Sequence, residues 1–256
     1  MRLKNKVALI TGGNSGIGFA TAKIFVAEGA KVAITGRNKE TLDQAVKDLG
    51  ANAIGVVADA NDTAALDRAV ADTVAKFGKI DVVFANAGIG GFTPLGQTTR
   101  EAFEKILATN LTSVFFTVQS ALPHLNDGAS IIFNGSVISV LGIPNYSAYA
   151  ATKAGVRAMA RVLAAELAPR KIRVNVVAPG GTKTPIWKGA APTADAMAVL
   201  DARLSRAVPL GRMGEADEIA KTALFLASDD SSYVNAAEIF VDGAATGAPA
   251  GAPVYR

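Results

Sequence analysis

The chain has no cysteine, one histidine and one tryptophan among its 256 residues. Without cysteine there is no disulfide framework and no thiolate to hold zinc. The single histidine, His124, cannot build a multi-histidine site, and a lone histidine near a helix end is ordinarily structural. No metal is expected. No stretch approaches the ~20 uninterrupted apolar residues that span a bilayer. The opening "MRLKNKVALITGG" has too short an apolar run for a signal peptide and lacks a small-residue cleavage site. A cytoplasmic protein without membrane partners is the expectation. Net charge is only +4, and the basic residues are scattered. Their densest group is Arg170, Lys171 and Arg173, whereas a nucleic-acid binder gathers charge on one stripe. No nucleic-acid partner is expected, only a solvated surface that tolerates anionic ligands.

What is present is apolar and alternating. Half the residues are hydrophobic, enough for one large α/β domain. "KVALITG" reads as a strand buried on both faces. Residues 16–28 have helical periodicity through Ile17, Ala20, Ile24 and Phe25. "KVAITG", "AIGVVA", "IDVVFANAG", "SIIFNGS", "IRVNVVAPG" and "AEIFVDG" supply six more strands. Helices are predicted at 39–49, 62–77, 99–125, 147–168 and 215–228. This alternation predicts a single-domain, doubly wound, seven-stranded parallel sheet flanked by helices, of Rossmann type. Residues 1–244 make up that domain. Residues 182–213 read as irregular or weakly helical, a candidate substrate loop. The loose tail, 245–256, is expected to be mobile or held by a partner subunit.

"ITGGNSGIG", residues 10–18, joins the first strand to the first helix. A helix N-terminus carries unpaired N–H groups and a partial positive charge, so it attracts anions when side chains are cleared away. Gly12, Gly16 and Gly18 clear the approach. A plain glycine turn is the alternative. Placement after a buried first strand in a βαβ unit favours a dinucleotide pyrophosphate.

The spacing from Thr11 to Gly18 is T-G-x-x-x-G-x-G. Together with "NAG" at 86–88, "GS" at 135–136, "YAATK" at 149–153, "APG" at 178–180 and "VDG" at 241–243, it resembles the classical short-chain dehydrogenase/reductase family over residues 3–243. Tyr149 and Lys153 are four apart on a predicted helix and share a face. A nearby ammonium lowers a phenol's pKa and suits it to acid/base work. A bare Y-x-x-x-K is otherwise compatible with two surface residues. Ser136 ends the fifth strand, where a hydroxyl can bond a substrate oxygen. Such a serine can also be a turn or cap residue, and the family spacing selects Ser136 over Ser139. Asn110 lies in an apolar helical run and reads on its own as a satisfied core amide. The resemblance implies that its main chain holds a water near Lys153, completing a tetrad of Asn110, Ser136, Tyr149 and Lys153.

The resemblance also implies cofactor contacts. Gly12, Asn14, Ser15, Gly16, Ile17 and Gly18 would form the phosphate turn, and Asp59 would meet adenine. Asn86, Ala87 and Gly88 would follow a ribose. Pro179, Gly180, Thr182 and Thr184 would hold the nicotinamide carboxamide, beside Tyr149 and Lys153. Ala236 and Ala244 stand where the family often has glycine.

An NAD site wants a carboxylate after the second strand. Here that position is Gly36, followed by Arg37 and Asn38. A guanidinium grips a 2′-phosphate that a carboxylate repels, so NADP(H) is expected rather than NAD(H). Loops 89–97, 137–146 and 185–210 offer Ile89, Phe92, Ile138, Val140, Leu141, Ile143, Trp187, Met197 and Leu200; the alternative is that several of these merely plug the core. They suit an apolar ketone or secondary alcohol, as in the family's bacterial carbonyl reductases and alcohol dehydrogenases. A 3-oxoacyl-carrier-protein reductase is the first rival, with Arg170, Lys171 and Arg173 as partial docking charges for an acidic carrier. A non-catalytic dinucleotide sensor is the second. The resemblance, the apolar last strand and the alanine-rich helix together imply a homotetramer.

Overall fold

The computed structural model describes residues 1–255; Arg256, the end of the expected tail, lies outside them. Seven strands form the main sheet: β1 (Val7–Ile10), β2 (Lys31–Gly36), β3 (Ala53–Val57), β4 (Ile80–Ala85), β5 (Leu125–Asn134), β6 (Arg173–Pro179) and β9 (Glu238–Val241). Their order is β3-β2-β1-β4-β5-β6-β9, and every neighbouring pair is parallel. The chain runs outward from β1 to β3, then returns to the other side of β1. Strand order therefore reverses between β1 and β4, which opens a crevice beyond their carboxyl ends.

Both faces of the sheet are covered, which explains the unbroken apolar runs. On one face Leu9, Val83, Ile131, Phe133 and Val176 pack on α3 (Thr63–Phe77), α5 (Ser113–Ala121) and α6 (Ser147–Leu167). On the other, Ile10, Ile34, Phe84, Ile132 and Val177 pack on α1 (Gly16–Ala27), α2 (Lys39–Leu49) and α8 (Ala216–Ala227). Phe25 of α1 is fully buried; a side chain of that size contributes ~1.5–3 kcal/mol on burial. No helix of the described residues is long and apolar enough to cross a membrane.

Three expectations need correction. The helix predicted at 99–125 is not continuous. It divides into α4 (Arg100–Leu107), a wide π turn (Ala108–Thr112) and α5, then a tight turn (Leu122–His124). Strand β5 accordingly begins at Leu125 rather than Ser130. The segment 182–213 contains a regular helix, α7 (Ala194–Ser205), whose N-terminus is capped by Thr193 accepting from Ala196 N at 3.1 Å. Two short strands, β7 (Thr182–Lys183) and β8 (Gly214–Glu215), pair at its base. The tail is held by its own chain: Ala252 is fully buried, and Val254 N donates to Arg206 O just after α7.

Two of the three clustered basic residues are engaged within the fold, while Lys171 is exposed. Arg173 is buried and donates to Leu226 O, Ser228 O and Ser231 Oγ, capping the end of α8. Arg170 pairs with Asp127 and donates to Leu122 O and Leu125 O. Both lie at the amino ends of the strands, away from the crevice.

Ala236 (φ 58°) and Ala244 (φ 72°) occupy the left-handed region, which costs a residue with a Cβ ~1–2 kcal/mol. Glycine relieves that cost and gives back ~0.4–1 kcal/mol as unfolded-chain entropy. Ala236→Gly and Ala244→Gly should each raise stability by up to ~1 kcal/mol, or ~2–4 °C in Tm. Thermal unfolding checks this, and a lower Tm in both variants contradicts it.

Candidate active site

The first turn of α1 is left open by its own sequence. Ser15 stands at the N-cap, but its side chain makes no capping bond, and no acidic residue occupies the first turn. Helices α2, α3, α4 and α7 are each capped by Asn38, Asp62, Thr99 and Thr193. Even α6 borrows Thr93 Oγ1, which accepts from Ala148 N at 3.1 Å. The unspent N–H groups of α1 therefore suit a pyrophosphate. The glycines do more than clear an approach. Gly12 adopts φ 63°, and a Cβ on Gly18 would stand 2.3 Å from Gly12 O and 2.5 Å from Asn86 Nδ2. Gly18 is thus required by close packing of helix, turn and Asn86.

Asn86, just beyond β4, ties this turn to the rest of the crevice. Its Nδ2 donates to Thr11 O (3.0 Å) and Gly12 O (3.1 Å). Its backbone N and that of Ala87 both donate to Thr11 Oγ1 at 3.1 Å. Two carbonyls consume the Asn86 amide donors, so only its Oδ1 is left to accept. Asn134, at the end of β5, must therefore present Nδ2, and does so at 2.9 Å. Its Oδ1 is left as a buried acceptor with no partner among the described residues. The backbone carbonyl of Asn134 accepts from Lys153 Nζ at 2.6 Å. One continuous path of hydrogen bonds runs from Gly12 through Asn86 and Asn134 to Lys153. Asn134 is absent from the sequence-derived site. Its signal was a polar residue at the end of a strand whose preceding residues, 129–133, are all buried.

Asn110 sits in the π turn, fully buried. Its Oδ1 accepts from Ile89 N and its Nδ2 donates to Ile89 O, both at 2.8 Å. The side chain is thus a two-way clamp on the loop after β4, leaving any other role to its main chain. A Cβ at Gly88 would come within 3.2 Å of Asn110 Oδ1. Ser136 Oγ accepts from Ile138 N at 3.2 Å, so it also caps the turn at Val137–Ser139. Ser139 points elsewhere, donating to Glu238 Oε1.

Tyr149 and Lys153 share one face of α6, with Lys153 Nζ 5.5 Å from the centre of the Tyr149 ring. The expectation of a lowered phenol pKa is not met. Burial pushes the Tyr149 phenol up to about 12; a hydrogen bond with Ser136 opposes this, and Tyr146 adds to it. Burial pushes Lys153 down to about 8. The physical reason is that the ammonium stands over the ring and is committed to Asn134 O, while both groups lose solvent.

The remaining candidates divide by what already engages them. Arg37 is exposed at the end of β2 and enters no ion pair among the described residues. Asn38 Oδ1 is taken by Thr41 N at 2.9 Å, and Asn14 Nδ2 donates to Thr41 Oγ1 at 2.8 Å. Ile17 O accepts from Thr21 Oγ1. Asp59 is exposed beyond β3, its Oδ1 accepting from Asn61. Pro179 pairs with Val241 at the end of β6. A Cβ on Gly180 would meet Asp242 Cα at 2.9 Å, so packing alone requires that glycine. Thr182 Oγ1 donates to Gly180 O, and Thr182 O accepts from Trp187 Nε1. Thr184 lies across the crevice from the glycine turn, its Cβ 3.3 Å from where a Gly16 Cβ would stand.

Lys153 also makes a stability prediction. Its folded pKa of about 8 lies below the unfolded 10.5, so between those values the unfolded chain binds more protons and stability rises with pH. From pH 7 to pH 9.5 this contributes about 2 kcal/mol. Lys153→Met should lose that increment. Urea unfolding of both proteins at the two pH values checks it, and identical pH dependence contradicts it.

The chain is similar to known proteins over nearly its whole length. A family model described as enoyl-(acyl carrier protein) reductase matches residues 12–246. A 3-oxoacyl-[acyl-carrier-protein] reductase of Thermotoga maritima is 41% identical, covering 95% of this chain and 98% of its own. An NADP-dependent (R)-specific alcohol dehydrogenase of Lentilactobacillus kefiri is 38% identical, covering 96% and 98%. The crystal structure of a levodione reductase superposes with a TM-score of 0.88 at 37% identity, covering 95% and 98%. The parallel sheet with its uncapped first helix, the serine just beyond β5 with the tyrosine and lysine on α6, and these likenesses over nearly full length place the chain in the short-chain dehydrogenase/reductase family of oxidoreductases.

Proposed function

We propose that the protein is an NADP-dependent carbonyl reductase, equally a secondary-alcohol dehydrogenase, acting on an apolar small molecule. The observation that carries this reading is the buried Tyr149 phenol, hydrogen-bonded to Ser136 and sharing a face of α6 with Lys153. A nicotinamide dinucleotide held on the first turn of α1 would supply or accept the hydride at the substrate carbon. In reduction, Tyr149 donates its proton to the substrate oxygen as that oxygen gains charge, while Ser136 Oγ donates a hydrogen bond to the same atom. Lys153, anchored on Asn134 O, keeps a positive charge near the phenolate that remains. Asn110 fixes the wall at Ile89, and its main chain is left to hold a water near Lys153. The open first turn of α1 would hold the pyrophosphate. Asn14, Ser15, Asn86, Ala87 and Gly88 line its path, with Asp59 toward adenine and Thr184 toward the nicotinamide.

Apolar side chains around the crevice support an apolar substrate. Phe92, Val140, Ile143 and Ile186 are all exposed. Ile186 comes within 3.7 Å of where a Gly90 Cβ would stand, so the turn before α7 reaches across toward the loop after β4. Leu200, expected in the pocket, is instead buried beneath α7. NADP is supported by the free Arg37 beside Gly36 and by the NADP-dependent relative. The carrier-protein reading has one similar enzyme in its favour. Arg170 and Arg173, however, are spent inside the fold and do not face the crevice. A non-catalytic sensor would not need the assembled phenol, ammonium and serine. We read the location as cytoplasmic and the assembly as a homotetramer. Support for the latter comes from β9, an edge strand only half-buried, and from Val162 exposed on α6.

The test is steady-state turnover of NADPH and NADH against a panel of apolar ketones. Tyr149→Phe should lower kcat by at least ~10²-fold with cofactor binding intact. Arg37→Ala should weaken NADPH binding by ~10- to 100-fold and leave NADH nearly unchanged. Normal turnover in Tyr149→Phe contradicts the reaction, and equal effects on both cofactors contradict the NADP assignment. Light scattering tests the assembly; an active monomer of 26.2 kDa contradicts it.

A further inference from the structure

We propose that Asn14 is a cofactor-selecting residue: its carboxamide fills the space that an NAD-type carboxylate on residue 36 needs, and so excludes that arrangement. The inference rests on reading the end of β2 as the ribose-binding edge.

The geometry is direct. A Cβ built on Gly36 would stand 2.8 Å from Asn14 Cγ, 2.9 Å from its Oδ1 and 3.1 Å from its Nδ2. Carbon atoms do not approach so closely without displacement. Gly36 does not adopt a left-handed backbone, so no strain of its own forbids another residue there. The obstacle is Asn14.

Asn14 is not free to yield without loss. Its Nδ2 donates to Thr41 Oγ1 at 2.8 Å. Thr41 is itself fixed in the first turn of α2, its Oγ1 donating to Asn38 O and its N to Asn38 Oδ1. The carboxamide thus bridges the glycine turn to the next βα turn and closes the space above β2. A carboxylate at position 36 must push Asn14 off Thr41 before it can reach a ribose diol. Glycine at 36 and asparagine at 14 therefore work as a pair. Discrimination comes from a built-in clash as well as from the attraction of Arg37 for a phosphate.

It follows that Gly36→Asp alone does not make an NAD enzyme. It should weaken NADPH at least tenfold through charge repulsion, yet leave NADH close to its wild-type affinity. Adding Asn14→Ala should tighten NADH about tenfold relative to Gly36→Asp, the equivalent of about one hydrogen bond. Fluorescence titration of both cofactors against wild type, the two single variants and the double variant gives the affinities that decide this.

A second measurement needs no cofactor. Gly36→Ala should lower Tm in the wild-type background and not in Asn14→Ala, because the clash is gone. A Gly36→Ala protein that folds only alongside Asn14→Ala is the same result in stronger form. The proposal is overturned if the Tm changes are additive, or if Gly36→Asp alone binds NADH as tightly as the double variant does. If wild type binds NADH at least as well as NADPH, the NADP reading fails. The Tm comparison still decides whether Asn14 and residue 36 compete for one space.

Discussion

The crevice depends on the amide of Asn86. Its two donors hold the carbonyls of Thr11 and Gly12, and its one acceptor holds Asn134. That single side chain fixes the shape of the turn after β1. It also orients the amide at the end of β5, whose backbone carbonyl anchors Lys153. The ends of β1, β4 and β5 are thus bound to one another and to α6 by directional bonds, over a sheet held by non-directional packing. Hydrophobic burial makes the layers. It does not specify where a carbonyl points within an ångström, and a hydride-transfer site requires that precision.

Burial then sets the chemistry. Tyr149 and Lys153 both lose solvent, and each shifts toward its neutral form. A phenol at about 12 is fully protonated at neutral pH, the form that reduction consumes. A lysine at about 8 still carries its charge there, close to its titration point. Tyr149 thus rests in the protonated form that reduction draws on, and the positive charge of Lys153 is what offsets the weaker acidity that burial imposes. The simpler picture, an ammonium lowering a phenol's pKa, placed the charge at the oxygen. The structure places it over the ring.

Much of this was legible in the chain. The strands announced themselves as apolar runs because both faces of the sheet are covered. The spacing of Ser136, Tyr149 and Lys153 survived because each lies on a regular element or at its end. The break at Asn110 was not legible. A π turn keeps the chain helical and has no residue signature of its own, so 99–125 reads as one helix. Helix α7 was obscured because mostly exposed residues carry no stripe; its burial is confined to Leu200. The tail looked loose because glycine, alanine and proline lack long side chains. Its order comes from backbone bonds and one buried alanine. Asn134 was overlooked because a single amide in an apolar strand has no spacing rule, and its importance appears only with Asn86 opposite.

The central claim is that Asn86 and Asn134 act as one unit in shaping the cofactor turn. It is tested most directly by a double-mutant cycle on NADPH affinity, using Asn86→Ala, Asn134→Ala and the double variant, read by calorimetric titration. The account predicts that each single change weakens binding and that the second adds little once the first is made, with a coupling of at least ~0.5–1 kcal/mol. Additive losses, or an Asn134→Ala protein that binds NADPH like wild type, would contradict it.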